Sequence, residues 1–223
     1  MKKKTIVHFI RHGQTMYNLE RRIQGSSDID LSTKGKIQAN SISYDKFLDS
    51  YDIAFHSSLS RSKETLDIIM EGSLSDRNIP IELSDLIIER SYGCFEGLTE
   101  EEINTKYPIK YLEWKNNENT KIEYAETIEN VVLRVRDFIK FVVENKYENI
   151  LAITHSGYLF ALYKFITNTD LGKRPSHISF PNCSSVYLNI FHIRNTIVKL
   201  ELQIEDKTYI NSSSPTEMIV STA

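Results

Sequence analysis

Along this chain, short apolar runs alternate with longer stretches in which apolar residues recur every three or four positions. Ile6, Val7, Phe9 and Ile10 form the first short run, and comparable runs stand at "YDIAF" (51–55) and "NILAIT" (149–154). Near-continuous apolar runs of this length suit strands covered on both faces, as in a parallel sheet. The clearest helical stretch is 127–143, where Ile128, Val131, Val132, Val135, Phe138, Ile139 and Val142 mark one buried face and Glu129, Arg134 and Lys140 are left for water. A second helix is predicted from Arg61 to Met70 with a glycine stop at Gly72. A third starts after Thr99, three residues before Glu102 in capping-box spacing, and halts by Pro108. "SSVYLNIFHI" (184–193) and "TIVKLELQI" (196–204), joined by Arg194 and Asn195, predict a β-hairpin. The alternation predicts an α/β fold: a three-layer α/β/α sandwich with a mainly parallel central sheet and an antiparallel strand near the C-terminus.

Composition narrows the function classes. The 223 residues suit one well-buried core, and a net charge of -3 gives no long-range attraction toward nucleic acid or an anionic membrane. Any chemistry on anions must therefore rest on a local cluster of cations. Cys94 and Cys183 stand far apart and outside any C-x-x-C spacing, so neither a disulfide framework nor a zinc site is expected. "MKKK" is followed by too short an apolar run for a leader or a membrane span, and a cytoplasmic protein is expected.

In open α/β sheets, ligands bind beyond the carboxyl ends of the strands. "RHG" follows the first strand, "HSSLSRSKET" the second and "HSG" the run at 149–154. Arg11, His12, Arg61 and His155 should thus converge on one rim and make a cationic pocket in a mildly acidic protein. A phosphate or carboxylate is the natural guest, because arginine offers planar forked donors and a neutral imidazole can donate or attack phosphorus. Gly13 leaves room for close backbone approach. Glu89 follows another apolar run and is the candidate proton donor to a leaving oxygen.

Taken together these residues resemble the histidine phosphatase superfamily, also called the phosphoglycerate mutase-like family. "RHGQT" (11–15) with Asn18 is similar to its signature, and "RIQGSSDIDLSTKGKIQA" (22–39) to the segment that follows. "SSLSRSKET" (57–65), "ERSYGCFEG" (89–97), "THSG" (154–157) and "PNCSSV" (181–186) continue the likeness in family order, over roughly residues 5–205. The resemblance implies that His12 attacks the phosphoryl group, that Arg11, Arg61 and His155 hold its oxygens, and that Glu89 is general acid and base. It implies no metal and no cofactor. Thr15, Asn18, Gln24, Gly25, Tyr92 and Ser156 are the expected substrate-binding residues. A single domain is expected over 1–210, with roughly 98–126 a helical cap-like insert over the site and 211–223 a polar tail.

The expected activity is hydrolysis of a small phosphorylated metabolite, which is the one partner foreseen. Phosphoglycerate mutase-type transfer is the alternative, suggested by Tyr92 in "ERSYG". Against it, residues 111–131 hold only Lys115 and Lys121 where the mutases carry an arginine pair, and Glu96 stands where mutases have glutamine. A non-catalytic ligand binder is the third reading, prompted by Ser156 in place of the usual glycine. His8, His56, His177 and His192 read as structural, Cys94 as inert, and Arg21 and Arg22 as solvated.

Overall fold

The computed structural model describes residues 2–42, 50–72 and 79–211. Seven strands form one sheet: β1 (Lys2–Arg11), β2 (Ile53–His56), β3 (Ile81–Leu83), β4 (Asn149–Thr154), β5 (Ser185–Ile193), β6 (Thr196–Ile204) and β7 (Lys207–Asn211). Their order is β3-β2-β4-β1-β5-β6-β7. The first four are mutually parallel, and β5, β6 and β7 are antiparallel to their neighbours. Because β4 pairs with both β1 and β2, the ends of all three come out on one edge.

Among the described residues, seven α-helices accompany the sheet: α1 (Met16–Leu19), α2 (Thr33–Ile42), α3 (Ser60–Glu71), α4 (Glu100–Lys106), α5 (Pro108–Asn116), α6 (Ile128–Glu144) and α7 (Ser156–Thr167). Side chains alternate across a strand, so β4 sends Ile150 and Ala152 to one face and Leu151 and Ile153 to the other. The first face packs with α6 and α7, through Val131, Val135, Phe138, Ile139, Leu159 and Leu162. The second packs with α3, through Leu66 and Ile69. This accounts for the doubly apolar strand runs and gives the three layers. A separate small cluster of Phe95, Ile103, Trp114 and Ile122 holds the segment carrying α4 and α5 together.

Local signals set the helix ends. Thr99 and Glu102 form a reciprocal capping box on α4, Pro108 opens α5 as its first residue, and the Thr127 hydroxyl caps α6. Among the described elements, α1, α2, α5, α7, β3 and β7 were not foreseen one by one. α7 is buried from Gly157 to Ile166, so its apolar residues show no one-sided period. β3 has three residues, too few to stand out. β7 adds a third antiparallel strand beyond the expected hairpin and takes Asn211, expected in the tail, into the sheet, while 212–223 lie outside the described residues.

Phe138 is fully buried between Phe9 and Phe55, with ring centroids 5.9 and 5.7 Å away. Phe138→Ala should cost about 3–5 kcal/mol of stability, read as a fall in the urea midpoint at unchanged slope; a midpoint near that of the parent would contradict this packing.

Candidate active site

Three strand ends meet at the carboxyl edge. The His12 amide donates to Thr154 O (3.0 Å) and the Arg11 amide to Ser184 O (3.1 Å), so the turn after β1 is tied to β4 and to the entry of β5. Asn182 Nδ2 donates to both His12 O and Asn18 Oδ1, each at 3.0 Å. Gly13 passes so close to α2 that a Cβ there would stand 2.6 Å from Gly35 O, which explains the glycine after His12. Its amide donates to Thr65 Oγ1 (3.0 Å), one turn along α3 from Arg61.

α3 delivers Arg61. The α3 N-cap residue, Leu59, offers no side-chain cap, and Asp28 supplies it from a distance by accepting from the Ser60 amide (2.7 Å) and hydroxyl (2.8 Å). The Arg61 guanidinium is 0% exposed and donates to Ser27 O (2.7 Å) and Gly25 O (2.8 Å). From the other side Glu96 grips the same turn, accepting from the amides of Ser26 and Ser27 (3.0 Å each) and of Tyr92 (2.8 Å), and from the Ser27 and Ser91 hydroxyls. Burial alone would raise the Glu96 pKa. The amides of Ser26 and Tyr92 and the hydroxyls of Ser26 and Ser27 outweigh it and hold the carboxyl below its usual range. Gly25, at φ +54°, has no space for a Cβ beside that carboxylate.

His12 is 1% exposed and its ring centroid lies 5.1 Å from that of His155, itself 0% exposed. His12 Nδ1 stands 2.7 Å from Gly13 O. A carbonyl only accepts, so Nδ1 carries the proton and Nε2 presents a lone pair. Burial, followed by the charges of Arg61 and Arg11, holds the His12 pKa well below its ordinary value. Burial, Arg61 and His12 do the same to His155. His155 Nε2 lies 2.7 Å from Ser57 Oγ, while its Nδ1 is buried without a partner among the described residues. Arg11 donates to Phe180 O (2.5 Å), and burial pushes its pKa down to about 10 against the opposing pull of Glu89. Nε of Arg11 and Nε of Arg61 are likewise buried and unpartnered. Each such donor costs about 1–3 kcal/mol, a cost that an anion of several oxygens would offset at once.

Glu89 reaches this centre over α7. Its carboxylate accepts from the Gly157 amide (3.2 Å) and the Arg90 amide (2.8 Å), and a Cβ at Gly157 would collide with it. The glycine that this site requires is therefore Gly157, which leaves position 156 free for serine. The Arg90 side chain is not a partner of Glu89; it donates to Glu126 O and Glu118 O, 3.0 Å each. Arg134 fixes the approach, donating to Leu86 O and Ile88 O while forking onto Glu126.

A cavity of about 280 Å³ opens from Arg11, Glu89 and Ser156, and Asn18, Gln24, Gly25 and Tyr92 also line it. Burial lifts the Tyr92 pKa to about 12, so its hydroxyl stays protonated. Thr15 is placed differently from its expected substrate contact: fully buried, it caps α1 and donates to Gln24 Oε1 (2.8 Å), positioning a lining residue from behind. Several residues with roles in this geometry, Asp28 and Arg134 among them, were not singled out for them in the sequence. Ser57 and Asn182 lie inside quoted motifs, and Glu96 served there only to separate branches. Arg174 lies in a loop without pattern. His8, expected to be structural, is bonded to Tyr51 and Ser185 and stacked on Tyr187.

An α/β sheet covered on both faces, with buried arginines and imidazoles at its carboxyl edge, defines a phosphate-handling class of protein. The chain belongs to the histidine phosphatase superfamily, branch 1, whose family model matches residues 7–203. It is similar to phosphoserine phosphatase 1 of Hydrogenobacter thermophilus, 29% identical over 199 residues, or 86% of this chain and 90% of the relative. It is also similar to the 2,3-bisphosphoglycerate-dependent phosphoglycerate mutase of Cytophaga hutchinsonii, 31% identical over 161 residues, 70% and 75% of the two chains. Among solved structures, Bacillus stearothermophilus YhfR superposes with a TM-score of 0.77 at 24% identity, covering 91% of this chain and 97% of that one. A mycobacterial glucosyl-3-phosphoglycerate phosphatase gives 0.76 at 21%, covering 96% and 100%. No helix among the described residues is long and apolar enough to cross a membrane.

The lowered histidines carry a stability signature. His12 and His155 titrate well below the ordinary imidazole value, and burial lowers His8 to about 4. Below about pH 6.5 the unfolded chain therefore binds protons that the folded one refuses. Stability should fall as pH drops from 7.5 to 5, by about 1.4 kcal/mol per pH unit for each such proton. Urea midpoints across that range test this, and a flat or rising midpoint on acidification would contradict the buried neutral imidazoles.

Proposed function

We propose that the protein hydrolyses a small phosphomonoester through a phosphohistidine formed at His12. The observation that carries the reading is the group of buried, unpartnered nitrogens, Arg11 Nε, Arg61 Nε and His155 Nδ1, beside an imidazole whose Nδ1 proton is committed to Gly13 O. His12 Nε2 attacks phosphorus in line with the leaving oxygen, and the arginines and His155 take up the charge on the equatorial oxygens. The Glu89 carboxyl gives its proton to the departing alkoxide. Water then attacks the phosphohistidine, Glu89 takes a proton from it, and free phosphate leaves. The guanidinium groups of Arg11 and Arg61 supply the charge that a metal would otherwise bring.

Phosphatase relatives and mutase relatives both stand at similar distance, and Tyr92 on the cavity wall favours keeping mutase transfer as a second reading. Hydrolysis is preferred because the cap offers little extra positive charge: Lys115 is bound to Glu100 (3.0 Å). A soluble phosphorylated metabolite is the expected partner in the cell, and a cytoplasmic setting agrees with it.

The purified protein should release p-nitrophenol from its phosphate ester between pH 5 and 8. His12→Ala should abolish this, and Glu89→Gln should lower kcat by roughly 10²–10⁴ on alkyl phosphates. No turnover of any phosphomonoester would leave a binding protein. Interconversion of 3- and 2-phosphoglycerate, primed by 2,3-bisphosphoglycerate and faster than phosphate release, would establish the mutase reading instead.

A further inference from the structure

At the amino edge of the sheet, opposite the phosphoryl pocket, the chain forms a second cationic cavity of about 190 Å³. The start of β1 lines it with Lys3 and Lys4, the segment after α6 with Lys146 and Glu148, and the end of β5 with its turn supplies His192 and Arg194. Thr5 also borders it, and seven residues of extended strand separate Thr5 from His12, a span of roughly 23 Å. A ligand held here does not touch the phosphoryl site.

Lys3, Lys4, Lys146 and Arg194 are all exposed, and none of the four takes part in an ion pair among the described residues. Against these four cations the cavity lining holds one carboxylate, that of Glu148. Lys3 also stands directly opposite His192 in the ladder between β1 and β5. Like charges so placed destabilise a sheet, and an anion between them would offset that.

His192, 4% exposed, has hydrogen bonds that only one protonation state completes. Its Nδ1 stands 2.6 Å from Arg194 O, and a carbonyl only accepts, so Nδ1 carries a proton. Its Nε2 stands 3.3 Å from Thr5 Oγ1, whose own proton is donated to Tyr147 O (2.7 Å). A neutral ring therefore sets two lone pairs against each other, whereas an imidazolium donates to Thr5 and closes the bond. The charges around the ring oppose that second proton: Lys3 and Lys4 come from β1, Lys146 from the turn after α6 and Arg194 from the hairpin. Tyr147 on the same wall is a phenol whose pKa burial raises, which leaves Glu148 as the one negative group facing the ring.

The geometry points to a second oxyanion site here, in which Lys3, Lys4, Lys146 and Arg194 hold a phosphate-class dianion and His192, as the imidazolium, forms its floor. The dianion supplies the negative charge that the chain itself does not bring to the ring. Three segments contribute the cations, so the recognition is of a group with several oxygens rather than of a single carboxylate edge. A volume of about 190 Å³ is below that of ordinary metabolite pockets and suits a small tetrahedral ion. Inorganic phosphate, the product of the hydrolysis proposed above, and the phosphate of an esterified metabolite are two sources of this chemistry. The site does not depend on the hydrolase reading.

The test follows the imidazole carbon and proton resonances of the whole protein by NMR, with His192→Gln assigning the His192 signal. Because the readout is at His192, binding in the phosphoryl pocket does not confuse it. Inorganic phosphate should move this signal saturably, with a Kd of about 1 mM or tighter, beyond any shift caused by chloride at equal ionic strength. Combining Lys146→Gln with Arg194→Gln should weaken that constant roughly tenfold or more, with the urea midpoint not lowered. Sulfate, which stays a dianion throughout, should bind more tightly at about pH 6 than at about pH 7.5, because the imidazolium is the binding form. Glycerol 3-phosphate on the His12→Ala protein, compared with phosphate, tells an esterified source from the free ion. A His192 signal that stays still, that moves equally with chloride or that responds alike in the double variant would overturn the site, as would a sulfate constant indifferent to pH. Loss of the hydrolase reading, judged by turnover, would leave all of these shifts readable.

Discussion

Everything at the carboxyl edge depends on burying the Arg61 guanidinium. A fully buried cation is tolerated only if protein dipoles surround it, and here the carbonyls of Gly25 and Ser27 do so. That demand shapes the whole turn from 24 to 28. The turn must point its carbonyls inward, so its amides point outward, and the Glu96 carboxylate collects them. Asp28, carried on the same turn, caps the helix that delivers Arg61. Cation, turn, carboxylate and helix end thus form a closed set in which each member satisfies another.

The electrostatics of the pocket follow from the same burial. The buried Arg61 and the partly buried Arg11 leave no allowance for a third positive charge, and burial together with these charges holds both imidazoles in the neutral form. Neutrality is what a nucleophilic nitrogen needs, and the Gly13 carbonyl decides which nitrogen it is. Charge repulsion that would destabilise an ordinary core therefore prepares this one for an anion.

The sheet and the gathering of these side chains at its edge were legible in the sequence for one reason: strand ends are local. Arg11, His12 and His155 each follow directly on an apolar run, and the parallel pairing of β1, β4 and β2 brings those runs level. Thr99, Glu102 and Pro108 gave sharp helix boundaries because capping is also local. What escaped notice was either uniformly apolar, as in α7, or satisfied at long range. Ser57 meets His155 across 98 residues and Asn182 meets His12 across 170, so neither bond leaves a spacing to read. Thr15 looked like a ligand contact by motif, yet its hydroxyl was needed to cap α1 and brace Gln24. Arg174 and Trp114 sit on a loop and a cap helix whose placement follows only from tertiary packing.

The central claim is that neutral His12, held by Gly13 O and pressed by Arg11 and Arg61, is the phosphoryl acceptor. Trapping the enzyme during a single turnover of a phosphomonoester, with an alkaline quench and peptide mass mapping, tests it most directly. The account predicts an acid-labile phosphoryl group on His12 that appears before free phosphate and decays as phosphate is released. Phosphate release with no protein-bound phosphoryl group at any time, or a group on another residue, would contradict it.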